Sequence, residues 1–301
     1  MADQESFNSP AEIRHRIGAT GSFSLNEISG DIRLRGVDGD EITVVARWDG
    51  GDDRPLPLVV RRGDGSLHID TDEKAGWLGG FHNRHGINFE VSIPSGARID
   101  IHAVSSDIEA HGLVGDQTYK TVSGDLEIDG TGGRVSATTV SGDVRLTAAQ
   151  PVEVNLNSTS GDIEASAPMF QPVRMRTVSG DMDVRGGFAA GPEHTVESVS
   201  GDLSIEATTG LTVDTKRGLD FSKHNKGPMV SGDGSGHLRF RSLSGDVRLS
   251  AVSSATPPQP PQPPQPQMTR EDSLEILQAL ERGEIDVEEA SRRLEGAGSR
   301  G

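Results

Sequence analysis

The sequence predicts an all-β protein: a single-stranded β-solenoid of stacked 18–21-residue coils, with a small α-helical hairpin at the C-terminus. Two observations predict the solenoid. The tripeptide Ser-Gly-Asp recurs through the chain, and an alternating apolar–polar run follows each copy. A third observation, the sharp change of composition after residue 254, separates the hairpin from the solenoid.

The recurring tripeptide sets the period of the repeat. It begins at Ser29, Ser123, Ser141, Ser160, Ser179, Ser200 and Ser244, and Ser105-Ser106-Asp107 carries serine in the glycine position. From Ser106 to Gly201 the middle residues are 18 to 21 residues apart. The 44 residues from Gly201 to Gly245 leave room for two coils, and Lys216–Asp220 is the expected degenerate copy of the tripeptide corner between them. A further Ser-Gly-Asp at Ser231 is off register, which predicts an inserted loop.

The run after each tripeptide predicts a β-strand. In Asp125-Leu126-Glu127-Ile128-Asp129 the apolar residues alternate with acidic ones, so one face of the strand is buried and the other faces water. A second extended segment, such as Arg134–Thr139, precedes each tripeptide. One such unit cannot bury its apolar face alone, and the copies are therefore expected to stack about 4.8 Å apart.

Each tripeptide is expected to form a sharp corner between two strands. Glycine permits the positive φ and the close backbone approach that such a corner needs. Serine and aspartate can hydrogen-bond backbone amides that the corner leaves unpaired. The predicted corner residues are Gly30, Gly124, Asp125, Gly142, Asp143, Gly161, Asp162, Gly180, Asp181, Gly201, Asp202, Gly245 and Asp246.

A row of corner aspartates raises an electrostatic question. Two carboxylates about 5 Å apart repel by roughly 0.8 kcal/mol in water, and by more where water is excluded. Capping by backbone amides is the favoured interpretation, and calcium bridging is the alternative because hard cations prefer carboxylate oxygen. His82 and His85 lie close in sequence but lack a third ligand, and the other seven histidines are expected at the surface.

The regions before the regular repeats are less periodic. Residues 1–11 are predicted to be disordered, 12–100 to form an N-terminal cap with the first irregular coils, and 101–254 to form the regular repeats. Gly63-Asp64-Gly65 between two apolar runs indicates a hairpin. The Gly-rich segment 72–86 carries Trp77, Leu78 and Phe81 and is a candidate interaction loop, although aromatics folded back onto the sheet are the commoner case.

The C-terminal residues differ from the repeats in composition. Residues 255–267 are rich in proline and predict a polyproline II spacer of about 40 Å. Residues 268–296 predict two short helices separated at Gly283, followed by a disordered tail at 297–301. So small a unit cannot supply its own core, so its apolar face is expected to pair with a second copy or a partner protein. That face comprises Leu274, Leu277, Leu280, Val287 and Leu294.

Composition excludes several function classes. The net charge of −17 and the lack of a basic stripe argue against nucleic acid, and the absence of cysteine excludes disulfides and thiolate chemistry. Neither a signal sequence nor an apolar run long enough for a membrane span is evident. A cytoplasmic location is therefore expected, with envelope association as the alternative. No cofactor is expected apart from the calcium alternative.

The repeated Val-Ser-Gly-Asp coils resemble the bacterial DUF4097 adhesin-like β-strand repeat family over roughly residues 12 to 252. The segment that leads into the regular coils, Val91-Ser92-Ile93-Pro94-Ser95-Gly96-Ala97, is part of this resemblance. Residues 280–290 resemble a SHOCT-like helical hairpin, which implies assembly. The resemblance implies a β-solenoid fold, an adhesion role inferred for the family, and for some relatives a link to cell-envelope stress systems.

These observations predict a noncatalytic scaffold that binds an envelope component and forms oligomers or binds a protein partner through the hairpin. A glycan-active β-helix enzyme is one alternative, but the acidic residues repeat evenly instead of clustering once. A regulatory protein that sequesters a signalling partner through its hairpin is the other.

Overall fold

The computed structural model describes residues 6–49, 54–71, 86–217 and 228–251. All regular elements of these residues are strands, which confirms the predicted all-β class for this part of the chain. The predicted spacer and hairpin at 255–296 lie outside the described residues.

Nine strands precede the regular repeats. They are β1 (Phe7–Asn8), β2 (Ala11–Arg16), β3 (Ser22–Ser29), β4 (Ile32–Val37), β5 (Glu41–Trp48), β6 (Pro55–Leu56), β7 (Leu58–Gly63), β8 (Ser66–Thr71) and β9 (Ile87–Pro94). The repeats contain β10 (Arg98–Ser105), β11 (Ile108–His111), β12 (Gln117–Lys120), β13 (Leu126–Thr138), β14 (Val144–Asn157), β15 (Ile163–Ser179), β16 (Met182–Phe188), β17 (Glu193–Ser200) and β18 (Leu203–Ala207). The last strands are β19 (Leu211–Arg217), β20 (Met229–Ser231), β21 (Gly236–Ser244) and β22 (Val247–Ala251).

The strands form two parallel rows that meet at the Ser-Gly-Asp corners. The row before the corners runs β8, β3, β10, β12, the later halves of β13, β14 and β15, then β17, β21 and β19. The row after the corners runs β9, β4, β11, the earlier halves of β13, β14 and β15, then β16, β18 and β22. Each coil contributes one strand to each row, which makes the fold a β-solenoid-like repeat.

The core is a narrow stack of aliphatic side chains between the two rows. In β13 Leu126 and Ile128 are buried while Glu127 and Asp129 are exposed, as period-two alternation predicts. Equivalent residues of successive coils lie in register, so that Leu126, Val144, Ile163, Met182 and Leu203 follow one another along the stack. Each layer therefore shields the apolar side chains of the next from water.

The N-terminal layers do not follow chain order. The coil of β3 and β4 lies between the coil of β8 and β9 and the coil of β10 and β11. Antiparallel strands cover the outer layer: β5 pairs with β9, β2 pairs with β5, and β7 pairs with β8 through the predicted hairpin at Gly63–Gly65. These pairings satisfy backbone groups that an open solenoid end would leave exposed.

The prediction of an additional coil between the corners at Gly201 and Gly245 is wrong. Strand β21 pairs directly with β17, and β22 pairs directly with β18, so no layer separates the two corners. Strand β19 lies on the far side of β21, where β20 pairs with it in antiparallel orientation. In the segment that was expected to be a degenerate copy of the corner, Lys216 and Arg217 belong to β19, and residues 218–220 lie outside the described residues. The interval supplies strands at the end of the stack instead of another coil.

No helix formed by the described residues has the length and apolarity needed to span a bilayer.

Candidate interaction edge

The corners lie in a row along one edge of the stack, called here the corner edge. Their first serines pair across neighbouring layers, in the order Ser29, Ser105, Ser123, Ser141, Ser160, Ser179, Ser200 and Ser244. The same bend therefore recurs in eight successive layers. Because it recurs, any surface that one corner presents is repeated about every 4.8 Å.

Glycine is required at these corners for two reasons. The φ angle of Gly161 is +144°, a region that other L-residues rarely adopt. A Cβ placed on Gly161 would also lie 2.2 Å from the carbonyl oxygen of Gly142 in the adjacent layer. Gly142 and Gly180 meet the same obstruction, so the close approach of layers at the corner depends on the missing side chain.

The corner aspartates form a hydrogen-bonded ladder, called here the aspartate ladder. In six steps the Oδ1 atom of one aspartate accepts a hydrogen bond, 2.8–2.9 Å long, from the amide of the aspartate one layer on. These steps join Asp107, Asp125, Asp143, Asp162, Asp181, Asp202 and Asp246. Each step satisfies an amide that the sharp bend removes from the strand pairing.

Sequence reasoning missed one member of this arrangement. Asn88 Oδ1 accepts a hydrogen bond of 2.9 Å from the amide of Asp31, the next corner in the stack. Asn88 precedes the buried Phe89 as Asp31 precedes the buried Ile32. This match in pattern was the available signal, but the segment 72–85 interrupts the Ser-Gly-Asp motif there. A neutral side chain therefore performs the same capping as the carboxylates.

The residue three positions before each corner glycine is buried and, in most layers, polar. The buried set comprises Glu27, Thr121, Thr139, Ser158, Thr177, Ser198 and Ser242, with Ala103 at the same position of its layer. The hydroxyls of Thr139, Ser158, Thr177, Ser198 and Ser242 have no hydrogen-bond partner among the described residues. Thr121 differs, because its Oγ1 donates to the carbonyl oxygen of Ser123 at 3.0 Å. Sequence reasoning did not single out this regular Ser/Thr position.

Glu27 is the charged member of that buried position. Its side chain is only 5% exposed, and Oε2 has no partner among the described residues. The Oε1 atom accepts a hydrogen bond from the amide of Ser29 at 3.0 Å. Burial raises the pKa of Glu27 to about 8, although the backbone hydrogen bonds from Ser29 and Ile28 act in the opposite direction. Glu27 is therefore largely protonated at neutral pH.

An exposed aliphatic residue lies two positions before the middle residue of most corners. These residues, called here the valine stripe, are Ile28, Val104, Val122, Val140, Val178, Val199 and Leu243. They are 40–56% exposed, and the remaining layer carries the exposed Thr159. Scattered apolar residues are normal on a surface, but seven aliphatic residues in eight successive layers form an apolar strip, which is interrupted at Thr159.

The walls beside the corner edge, which are the two rows of strands on either side of it, carry ion pairs between layers, although Glu127 and Asp183 form none among the described residues. Arg145 Nε lies 3.1 Å from Glu164 Oε2, and Arg134 and Arg176 pair in the same way with Glu153 and Glu197. The aspartate ladder differs from these walls. Asp107, Asp125, Asp143, Asp162 and Asp181 have no ion-pair partner among the described residues. The corner edge therefore combines an apolar strip with a row of unneutralised carboxylates.

The other predicted sites fall outside the described residues. The candidate loop residues Trp77, Leu78 and Phe81 belong to the segment between Thr71 and Gly86, which joins the two strands of the outermost layer. The candidate assembly face of Leu274, Leu277, Leu280, Val287 and Leu294 belongs to the hairpin region.

The described residues offer little that resembles a catalytic centre. They contain no group of three His, Cys, Asp or Glu side chains placed to hold a metal ion. A shallow depression of 510 Å³ is lined by Thr20, Gly21, Ser22, Gly65, Gly96, Arg98 and Asp116. Its two charged side chains pair with each other at 3.4 Å. It therefore lacks the two separated carboxyl groups that glycoside hydrolysis uses.

One histidine contradicts the expected surface location. His194 is fully buried: its Nδ1 accepts from the amide of Val173 at 3.2 Å, and Nε2 lies 3.1 Å from the carbonyl oxygen of Ala189. Burial lowers the pKa of His194, so the neutral ring is favoured and both nitrogens are satisfied. The ring packs edge-on against Phe188, which gives it a structural role in the core.

The fold and the corner edge define a parallel β-solenoid-like repeat protein with a regular, repeated surface. A family model described as Toastrack DUF4097 matches residues 20–254. The chain belongs to this family, as its repeated corners led us to expect. Nothing matches among curated proteins.

Solved structures that match the chain have little sequence in common with it. A candidate adhesin from Bacteroides fragilis is 12% identical with a TM-score of 0.49, covering 83% of this chain and 99% of its own. A candidate cell adhesion protein from Clostridium sporogenes is 9% identical with a TM-score of 0.26, covering 81% and 100%. A candidate lipid-binding protein from Parabacteroides distasonis is 9% identical with a TM-score of 0.34, covering 80% and 98%.

Proposed function

We propose that this protein is a noncatalytic, adhesin-like scaffold that binds a partner along its corner edge and assembles through its C-terminal hairpin. The observation that carries the binding role is the valine stripe, which keeps seven large aliphatic side chains in water along one edge. Retaining this many exposed aliphatic residues in register indicates a surface that is covered in use.

The regularity of the edge supports binding over catalysis. A catalytic centre needs a single constellation of unlike groups, whereas the corner edge repeats the same groups in every layer. Several weak contacts made at once with a repetitive target would add up, and assembly of copies through the hairpin would add avidity. The target that we propose is a component of the cell envelope, because the family resemblance implies an adhesion role and, for some relatives, a link to cell-envelope stress systems.

Sedimentation with a bacterial cell-envelope fraction tests the binding role. The full-length protein is expected to co-sediment, and the triple variant Val122→Asn, Val140→Asn and Val178→Asn is expected to lose most of that binding. The matched control places asparagine at Thr147, Gln150 and Gln171, exposed residues away from the corners. Equal binding by both triple variants would remove the corner edge from the proposal.

Light scattering tests the assembly role. The full-length protein is expected to have a mass above that of one chain, and Leu274→Lys, Leu277→Lys and Leu280→Lys together are expected to reduce it to a monomer. A monomeric wild-type protein would contradict assembly. Turnover of pectin, alginate or peptidoglycan fragments by the full-length protein would contradict the noncatalytic role.

A further inference from the structure

Two features of the corner edge together indicate what would bind there. The valine stripe supplies an apolar strip, and the aspartate ladder lies beside it because its residue follows the stripe residue by three positions in each layer. Both rows run along the stack at about 4.8 Å per layer. A binding partner must therefore match an apolar row and an anionic row at the same time.

The charge of the ladder is available to a partner. The Oδ1 atoms accept hydrogen bonds from backbone amides of the next layer. The side chains of Asp107, Asp125, Asp143, Asp162 and Asp181 are exposed and form no salt bridge among the described residues, although Arg145, which pairs with Glu164, also interacts with Asp143. The adjacent walls carry arginines that are already paired with glutamates. Lysine or arginine side chains from outside are the complement that this edge lacks.

The same charge argues against two other occupants. A second copy would bring its own net charge of −17 against the ladder. Residues 268–296 are predicted to carry an apolar face, but they contain nine acidic residues against four arginines. Both would place like charges together along the length of the strip, which disfavours them as partners.

The spacing of the residues in the valine stripe favours an α-helix as the binding element of the partner. The strip spans eight layers, from that of Ile28 to that of Leu243, and is about 34 Å long. The apolar seam of an amphipathic helix advances about 5 Å per apolar residue, because such residues recur every 3.5 residues at a rise of about 1.5 Å. Side chains on one face of an extended strand recur every ~6.6 Å, which does not match the layers.

We propose that the corner edge is a docking site for a basic amphipathic α-helix of a partner protein, with the helix lying along the stack. Its apolar residues pack on the valine stripe, and lysines or arginines along one flank pair with the aspartate ladder. This inference deepens the proposed function and depends on it, because it names the class of partner for the same edge.

Fluorescence anisotropy with three labelled helical peptides of about 22 residues tests the proposal. The first peptide has leucine on its seam and lysine on the flanks, the second replaces lysine with glutamate, and the third replaces leucine with serine. The full-length protein is expected to bind the first at least tenfold more tightly than either of the others. Binding of the acidic peptide with equal affinity would overturn the proposal.

Two sets of variants separate the apolar and the charged rows. Val122→Asn, Val140→Asn and Val178→Asn together are expected to weaken binding of the lysine peptide at least tenfold. Asp125→Asn, Asp143→Asn and Asp162→Asn together retain the amide acceptors, as Asn88 shows, and are expected to weaken binding about tenfold and reduce its salt dependence. Asp38→Asn, Asp64→Asn and Asp129→Asn change the net charge equally and are expected to bind as wild type. Equal losses in the two aspartate sets would overturn the ladder's role.

The proposal can fail without the proposed function failing. Stripe-dependent co-sedimentation with the envelope fraction, combined with no binding of the lysine peptide, would reject the helix while keeping the binding edge. Stripe-dependent binding to phosphatidylcholine vesicles in place of the peptide would reject it in favour of lipid. Loss of stripe dependence in the envelope assay and in the peptide assay would reject both.

Discussion

Asp162 Oδ1 accepts a hydrogen bond of 2.8 Å from the backbone amide of Asp181, nineteen residues later and one layer on in the stack. The side chain of one coil thus satisfies the backbone of the next at the point where the chain bends. The acceptor is what this contact needs, and Asn88 shows that the negative charge is not required.

Replacement of Asp162 tests that distinction. Asp162→Asn is expected to leave the free energy of unfolding within about 0.5 kcal/mol of wild type, because the acceptor remains and repulsion along the ladder falls. Asp162→Ala leaves the amide of Asp181 without its acceptor and is expected to cost about 1–2 kcal/mol. Urea denaturation measures both, and equal stability of the two variants would contradict a capping role.

Glycine at the corner is expected to be far less replaceable than glycine in an open turn. Gly161→Ala forces a Cβ to within 2.2 Å of the Gly142 carbonyl oxygen, and should destabilise the protein by more than about 3 kcal/mol. Gly39→Ala is the matched control, because Gly39 also has positive φ at +131° but no atom within 4 Å of its Cβ position. Thermal denaturation of the two variants compares them, and a similar loss in both would attribute the effect to φ alone.

The buried carboxyl of Glu27 makes stability depend on pH. Because its folded pKa of about 8 lies above the unfolded value, folding favours the protonated form. Its contribution is complete below the unfolded pKa of about 4.3 and is lost as the pH rises toward 8, at about 1.4 kcal/mol per pH unit.

Glu27→Gln isolates this contribution. The stability of the variant relative to wild type is expected to rise steadily between pH 5 and pH 8, because glutamine cannot ionise. Urea denaturation at unit steps of pH measures the difference, which also cancels the titration of His194. Parallel stability curves for the two proteins would show that Glu27 does not change ionisation on folding.

The buried hydroxyls predict opposite outcomes for one type of substitution. Thr177→Val removes a hydroxyl without a partner among the described residues and is expected to raise the free energy of unfolding by about 1 kcal/mol. Thr121→Val removes the hydrogen bond to the Ser123 carbonyl and is expected to lower it by about 1 kcal/mol. Chemical denaturation checks both signs, and destabilisation by Thr177→Val would indicate that its hydroxyl is satisfied.

Much of the fold could be predicted from the sequence because the repeat is local. Alternation in Leu126–Ile128 and its copies indicates which side chains are buried, and the period of 18 to 21 residues indicates one layer per copy. The order of layers could not be predicted at the ends. The degenerate corner expected at Lys216–Asp220 does not form a layer between Gly201 and Gly245. Local composition does not show which distant segments pair as strands, so the sequence could not reveal this.

The candidate edge was predictable only in part. The recurrence of valine before Ser-Gly-Asp was visible in the sequence, and the alternation that buries Val135 and Ala137 continues to the buried Thr139 and the exposed Val140. The composition of these two positions points the other way, because a polar residue occupies the buried position and an aliphatic residue occupies the exposed one. Asn88 was missed because no Ser-Gly-Asp tripeptide marks its position, so that its equivalence to the corner aspartates is not visible in the sequence.

The sequence by itself determined the repeating unit, the strand faces and the glycine corners, because each depends on residues a few positions apart. Only the tertiary structure decided which layers are neighbours, and that the carboxylates of one layer cap the amides of the next. These relationships join residues 18 to 76 positions apart in the chain, and they exist only once the layers have packed.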